Sequence, residues 1–213
     1  MRPVRAVAFD FNGTLSDDEP VLLAVYQELF AEHGRPLTAE DYYGTLAGLS
    51  EEVIIGTRLD VEGATLEELV EQRIDRYLAR CRDGETISVA VREAITEAAA
   101  RVPVAVVSGA FRREIEPVLA GAGLDRHVSV LVAADDVERG KPDPAGYALA
   151  AELLHVDPAD VVAFEDTEAG VASAKAAGLR CVAVVGTHPR ERLRAADELV
   201  GAIDPGLVRR VLA

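Results

Sequence analysis

Ala6-Val7-Ala8-Phe9-Asp10-Phe11-Asn12-Gly13-Thr14-Leu15-Ser16-Asp17 decides the fold, because a short apolar run passes straight into an acid, a Gly-Thr turn and further acids. The run reads as a strand buried on both faces, and the acid and turn as a loop at its carboxyl end. Ligands of an open parallel sheet bind beyond the carboxyl ends of its strands, so Asp10 is delivered to the place where such a fold does its chemistry. An aspartate there can attack phosphorus as a nucleophile and can ligate Mg²⁺.

The first run spans residues 4–9, and four more follow at 102–107, 128–132, 161–164 and 181–185. Helical patterns at 111–120, 144–154 and 168–177 alternate with the later runs, which predicts an α/β fold with a Rossmann-like parallel sheet. The interval between the first two runs is too long for one crossover helix, so an inserted helical domain is expected at residues 16–82, with 1–15 and 83–213 forming the core. In the insert, Leu22, Val25, Tyr26, Leu29 and Phe30 share one helix face after Pro20, and Gly34 to Pro36 ends that helix. Thr38-Ala39-Glu40-Asp41 and the capping-box pattern Thr65-Leu66-Glu67-Glu68 predict two further helix starts. Leu66, Leu69, Val70, Ile74, Tyr77 and Leu78 then recur at helical spacing, and Asp83-Gly84 reads as the hinge returning to the core.

Composition narrows the partners. Lys+Arg of 22 against Asp+Glu of 37 gives a net charge of −15, which repels nucleic acid. No apolar run reaches membrane-spanning length and no signal-peptide h-region is visible, so a cytoplasmic protein, monomer or weak homodimer, is expected. Cys81 and Cys181 lack metal-type or CxxC spacing and read as reduced cysteines.

Four fragments fall at predicted strand ends. Asp10 with Asn12 is the first. Ser108-Gly109 is the second, where a hydroxyl and backbone N–H groups can hold phosphate oxygens. Gly140-Lys141-Pro142-Asp143-Pro144 is the third and presents one of only two lysines in the chain from a stiff loop. A compact ammonium suits the task of holding both a nucleophilic carboxylate and a phosphoryl group. Phe164-Glu165-Asp166-Thr167 is the fourth; with Asp10 its two acids make a site for a hard cation. His33, His127, His155 and His188 share no ligand spacing and read as peripheral, and Arg190, Arg192 and Arg194 read as a solvated helix face.

In this order the fragments resemble the four motifs of the haloacid dehalogenase superfamily, whose first motif is D-x-D-G-T-L, and the insert resembles its helical cap. The Gly-Lys-Pro-Asp-Pro and Glu-Asp-Thr-x-Ala-Gly spellings are similar to the branch of beta-phosphoglucomutases and phosphoglycolate and sugar-phosphate phosphatases. The resemblance implies a Mg²⁺-dependent phosphatase for a small phosphorylated metabolite, working through an aspartyl-phosphate on Asp10. It implies Mg²⁺ at Asp10, the Asn12 carbonyl, Asp166 and Glu165, and phosphate held by Asn12, Gly13, Thr14, Ser108, Gly109 and Lys141. It also implies substrate selection by the cap around Tyr42, Gly48, Leu49 and Ser50.

One letter departs from the motif: Asn12 stands where the second Asp protonates the leaving group and then deprotonates water. An amide cannot exchange that proton, and such help is commonly worth ~10²–10⁴ in rate. Slow turnover is expected unless Asp17, Asp18 or Glu19 takes the proton; the alternatives are a weakened member that binds phosphate or a partner, or an asparagine introduced to trap a complex. Phosphonoacetaldehyde hydrolases need a cap lysine, which is absent here, and haloacid dehalogenases lack the acid pair. Where beta-phosphoglucomutases carry a cap histidine and basic residues, this chain has Leu22, Ala47 and Glu51, which disfavours mutase activity.

Overall fold

The computed structural model describes residues 2–213. In chain order its elements are β1 (Ala6–Phe9), α1 (Glu19–Glu32), α2 (Ala39–Asp41) running into a wide helical turn (Tyr42–Leu46), α3 (Glu51–Leu59), α4 (Gly63–Cys81), α5 (Val89–Ala99) and β2 (Val104–Val107). They continue with α6 (Arg112–Gly121), β3 (Val130–Val132), α7 (Ala145–Leu153), β4 (Val161–Glu165), α8 (Glu168–Ala176), β5 (Arg180–Val184), β6 (Glu198–Val200) and α9 (Pro205–Val211). The strands form one parallel sheet in the order β3-β2-β1-β4-β5-β6, the doubly wound arrangement. Its order reverses between β1 and β4, which makes the carboxyl ends of those two strands the crevice.

The alternation of side chains along β1 divides the core. Val7 and Phe9 join a cluster with Ile95, Ile115 and Val208, whereas Ala6 and Ala8 face Tyr147, Ala150, Val171 and Ala174. Helices α5, α6 and α9 therefore cover one face and α7 and α8 the other. Small residues on the second face let α7 and α8 approach closely, which brings Tyr147 under the site. Register across the switch point is fixed by Phe9 opposite Phe164, with rings stacked at 4.7 Å, and by the Asp10 N–H donating to the Phe164 carbonyl at 2.9 Å. Asp10 is thereby placed beside Glu165.

All five apolar runs form strands, with ends that shift by up to two residues. Strand β6, three residues long, closes the sheet edge without having carried a readable pattern. Helix α1 buries Leu22, Val25, Tyr26, Leu29 and Phe30, and Thr38 caps α2 by accepting from the Asp41 N–H at 3.0 Å. The expected start at Thr65 is corrected: α3 ends on Asp60 in the left-handed region and three residues later α4 begins at Gly63, so Thr65 lies inside the first turn and caps nothing. Arg190 to Arg194 lie in turns, not on a helix; Arg192 donates to Glu168 at 3.0 Å. His33 and His155 are exposed and His127 half-buried, but His188 is buried next to Arg192. Both cysteines are buried and free, and no helix among the described residues is long and apolar enough to cross a membrane.

Candidate active site

The four strand-end fragments converge. Lys141 donates to Asp10 Oδ1, to Glu165 Oε1 at 2.5 Å and to the Val107 carbonyl at 3.1 Å, so one ammonium ties the ends of β1, β2 and β4. Glu165 is held from every side. Tyr147 donates to its Oε1 at 2.8 Å, and Thr167 donates to its Oε2 from both hydroxyl and N–H at 3.2 and 3.4 Å. A Cβ on Gly170 would collide with that carboxylate, so the glycine in the first turn of α8 is what makes room for it. Burial pulls the Lys141 ammonium down, but Asp10 and Glu165 more than offset this and hold its pKa above the usual range.

Asp10, Glu165 and Asp166 bring ligand atoms within 4.8 Å of one another. Burial pushes Asp10 up to about 7, against the pull of Lys141, and burial with the charges of Asp10 and Glu165 raises Asp166 well above the carboxylate range. Thr14 donates to Asp166 Oδ1 at 2.9 Å, while Asp166 Oδ2 is buried without a hydrogen-bond partner, although Thr187 is near enough to temper its charge. A divalent cation fits this arrangement: it would satisfy the orphaned oxygen and relieve the mutual repulsion. Gly13, at φ +75°, passes so close to Asp166 Oδ2 that any side chain there would clash.

Expected phosphate contacts divide on inspection. Ser108 and Gly109 line the cavity together with Asp10 and Lys141. Gly13 and Thr14 do not line it: the Gly13 N–H is engaged by the Ser16 carbonyl at 2.8 Å and the Thr14 hydroxyl by Asp166, so both shape the loop. Asn12 is half-buried and donates from Nδ2 to Asp18 Oδ2 at 2.9 Å. Asp18, fully buried, also receives Tyr77 and the Gly13 N–H.

The cavity holds about 540 Å³, and Tyr42, Gly48, Leu49 and Ser50 line it as expected. Sequence reasoning missed a second cluster on its wall. Arg73, buried on α4, is bound by Glu114 of α6 and by Glu51 of α3, the latter at 3.3 Å, and packs beside the rings of Tyr26 and Tyr77. A signal existed, because Arg73 sits within the apolar stripe of Val70, Ile74 and Tyr77. Glu19, buried at the start of α1, faces the same cavity and accepts from the Tyr42 hydroxyl at 3.0 Å. Burial and the neighbouring Asp18 push Glu19 up to about 7, against Tyr42 and Arg73.

The haloacid dehalogenase-like hydrolase family model matches residues 4–178. The chain is 32% identical over 197 residues, 92% of each protein, to validoxylamine A 7'-phosphate phosphatase of Streptomyces hygroscopicus subsp. limoneus. It is also 32% identical over 187 residues, 83% of this chain and 82% of the other, to the phosphorylated carbohydrates phosphatase of Thermotoga maritima. Among solved structures it is similar to CbbY from Rhodobacter sphaeroides in complex with xylulose-(1,5)bisphosphate, with a TM-score of 0.84, 28% identity and coverage of 93% and 94% of the two chains.

Proposed function

The chain belongs to the haloacid dehalogenase-like hydrolases and is a phosphoric monoester hydrolase, and we propose that it cleaves its ester by in-line attack of Asp10 on phosphorus. Lys141 supports this reading best: it joins Asp10 to Glu165 at the floor of a cavity whose wall carries Ser108 and Gly109. The ammonium holds the nucleophile in place and, with the Ser108 hydroxyl and the Gly109 N–H, meets the charge on the transferring phosphoryl oxygens. Mg²⁺ would be held by Asp10, Asp166 and the Asn12 carbonyl beside Glu165. Bound there, it supplies Lewis-acid stabilisation of phosphoryl charge. The intermediate is an aspartyl-phosphate.

Residues 16–82 act as a cap that closes over the cavity and hinges near Asp83-Gly84. Leu49 and Val53, exposed at 42% and 49% on the cavity rim, are covered on closure.

The leaving group is an uncharged, hydroxyl-bearing alcohol such as a sugar. Arg73, the buried cation on the wall, is already balanced by Glu51 and Glu114, and Glu19 and Glu51 add acceptors for hydroxyls. A second phosphate would meet acids there, so mutase chemistry on bisphosphates is disfavoured. Of the similar phosphatases, the one named for phosphorylated carbohydrates acts on esters of hydroxyl-bearing molecules. A panel of sugar monophosphates and bisphosphates, assayed with and without Mg²⁺, tests the reading. Monophosphates are expected to win in kcat/KM by roughly tenfold or more, with loss of turnover on chelation; that margin is about 1.4 kcal/mol of transition-state binding. Preference for bisphosphates would overturn the subsite, and absence of turnover on every ester would favour a phosphate-binding protein.

A further inference from the structure

We propose that Glu19 is the general acid and base of this reaction, taking the role that Asn12 cannot fill; the proposal rests on the reading of Asp10 as nucleophile. Three acids follow the first motif, and the structure separates them. Asp17 is exposed and does not line the cavity. Asp18 is fully buried behind Asn12, with its oxygens engaged by Asn12, Gly13 and Tyr77. Glu19 is buried yet opens on the cavity that Asp10, Ser108 and Lys141 share.

The remaining carboxylates on that wall are placed differently. Glu51 carries the ion pair with Arg73 through Oε1, with Oε2 buried and without a hydrogen-bond partner, and Asp143 is paired with Arg139 at 2.8 Å and with the Ala145 N–H at 3.0 Å. Glu52 and Glu138 are exposed.

One Glu19 oxygen is fixed by the Tyr42 hydroxyl, which orients the carboxyl. The groups that face it are Asp18 beside it, Tyr42 and Tyr43 from the turn after α2, Arg73 from α4 and, through space, Asp166 beyond β4. Their sum with burial leaves Glu19 titrating at about 7, where a carboxyl is available in both forms at neutral pH.

The proton then balances over two steps. As an Asp10 oxygen bonds to phosphorus and the P–O bond to the leaving group breaks, the Glu19 carboxylic acid gives its proton to the departing oxygen and an alcohol leaves. The Glu19 carboxylate next takes a proton from the water whose oxygen bonds to phosphorus as the bond between phosphorus and the Asp10 oxygen breaks. Inorganic phosphate departs, and Asp10 and the protonated Glu19 are restored.

Phenyl phosphate, a poor leaving group, and p-nitrophenyl phosphate, a good one, separate these steps with the Mg²⁺-loaded enzyme. For the native chain, kcat on phenyl phosphate should fall as pH rises through about 7, because the acid is needed, and steady-state kcat on p-nitrophenyl phosphate should rise through the same range, because the base is needed. Tyr42→Phe removes a hydrogen bond that favours the charged form, so both limbs should move to higher pH. Glu19→Gln should lose ~10² or more in kcat on phenyl phosphate, and with p-nitrophenyl phosphate should give a burst of one nitrophenolate per site followed by slow turnover. Adding Asn12→Asp to Glu19→Gln should restore turnover on both esters.

Native rates on phenyl phosphate in Glu19→Gln would overturn the proposal, as would equal losses on both esters with no burst and no rescue. The native pH limbs need no variant to fold, and their absence would also overturn it. Failure of the Asp10 reading is distinguishable, because Asp10→Asn would then keep turning over either ester.

Discussion

Asp166 and Glu19 carry the sharpest single-residue consequences. Asp166 Oδ2 is buried without a hydrogen-bond partner next to two further acids, so a cation should be bound here or nowhere in the core. Calorimetric titration should show Mg²⁺ binding that Asp166→Ala largely removes; unchanged affinity would place the metal elsewhere. Glu19 can be read without catalysis. Its folded pKa of about 7 stands above the roughly 4.3 of an unfolded glutamate, so its contribution is fully present below that lower value and is lost as pH rises through about 7. Glu19→Gln, which stays uncharged, should therefore match the native metal-free protein in stability near pH 4 and exceed it, by up to a few kcal/mol, above about pH 7. Denaturant midpoints across that range check this, and a constant difference at all pH values would contradict it. Asn12 itself was readable as an anomaly from the sequence, but which of the three following acids faces the cavity depends on the turn into α1, and no periodicity encodes that.

Helix α4 is the element on which the insert depends. It packs on α1 and α3, and through Arg73 it reaches Glu114 of α6, which lies on the sheet side of the cavity. Removing one partner of a buried ion pair leaves the other charge uncompensated, at about 3–5 kcal/mol. Arg73→Met leaves Glu51 and Glu114 without their cation and should lower stability by that order, read as a shift of the urea midpoint; a change under about 1 kcal/mol would mean the acids are already neutral. The strands, and the stripes of α1 and α4, were legible because each writes its burial into a local repeat. The start of α4 was not: the chain turns at Asp60, in the left-handed region, and is helical from Gly63, two residues before the capping-box pattern. Tyr147 and the Arg73 cluster stayed invisible as a site because their partners come from other elements: Glu165 from β4, and Glu51 and Glu114 from α3 and α6.

Six parallel strands in the order β3-β2-β1-β4-β5-β6 gather four widely separated fragments at one crevice, and that much followed from alternating strands and helices. The sheet edge did not, since Glu198-Leu199-Val200 is too short to show alternation. Closure of residues 16–82 over the crevice predicts slower hydrogen exchange at residues 42–50 when Mg²⁺ and inorganic phosphate are added together. Equal exchange at saturation would count against a lid. Catalysis here turns on a covalent bond between phosphorus and one oxygen of Asp10. Acid-quenching the Mg²⁺-loaded enzyme during turnover of p-nitrophenyl phosphate, then mapping the digest by mass spectrometry, reads that bond. A phosphorylated peptide spanning Asp10, absent from the inactive Asp10→Asn variant, is the predicted result; turnover that persists in Asp10→Asn, with no phosphopeptide in the native enzyme, would contradict it.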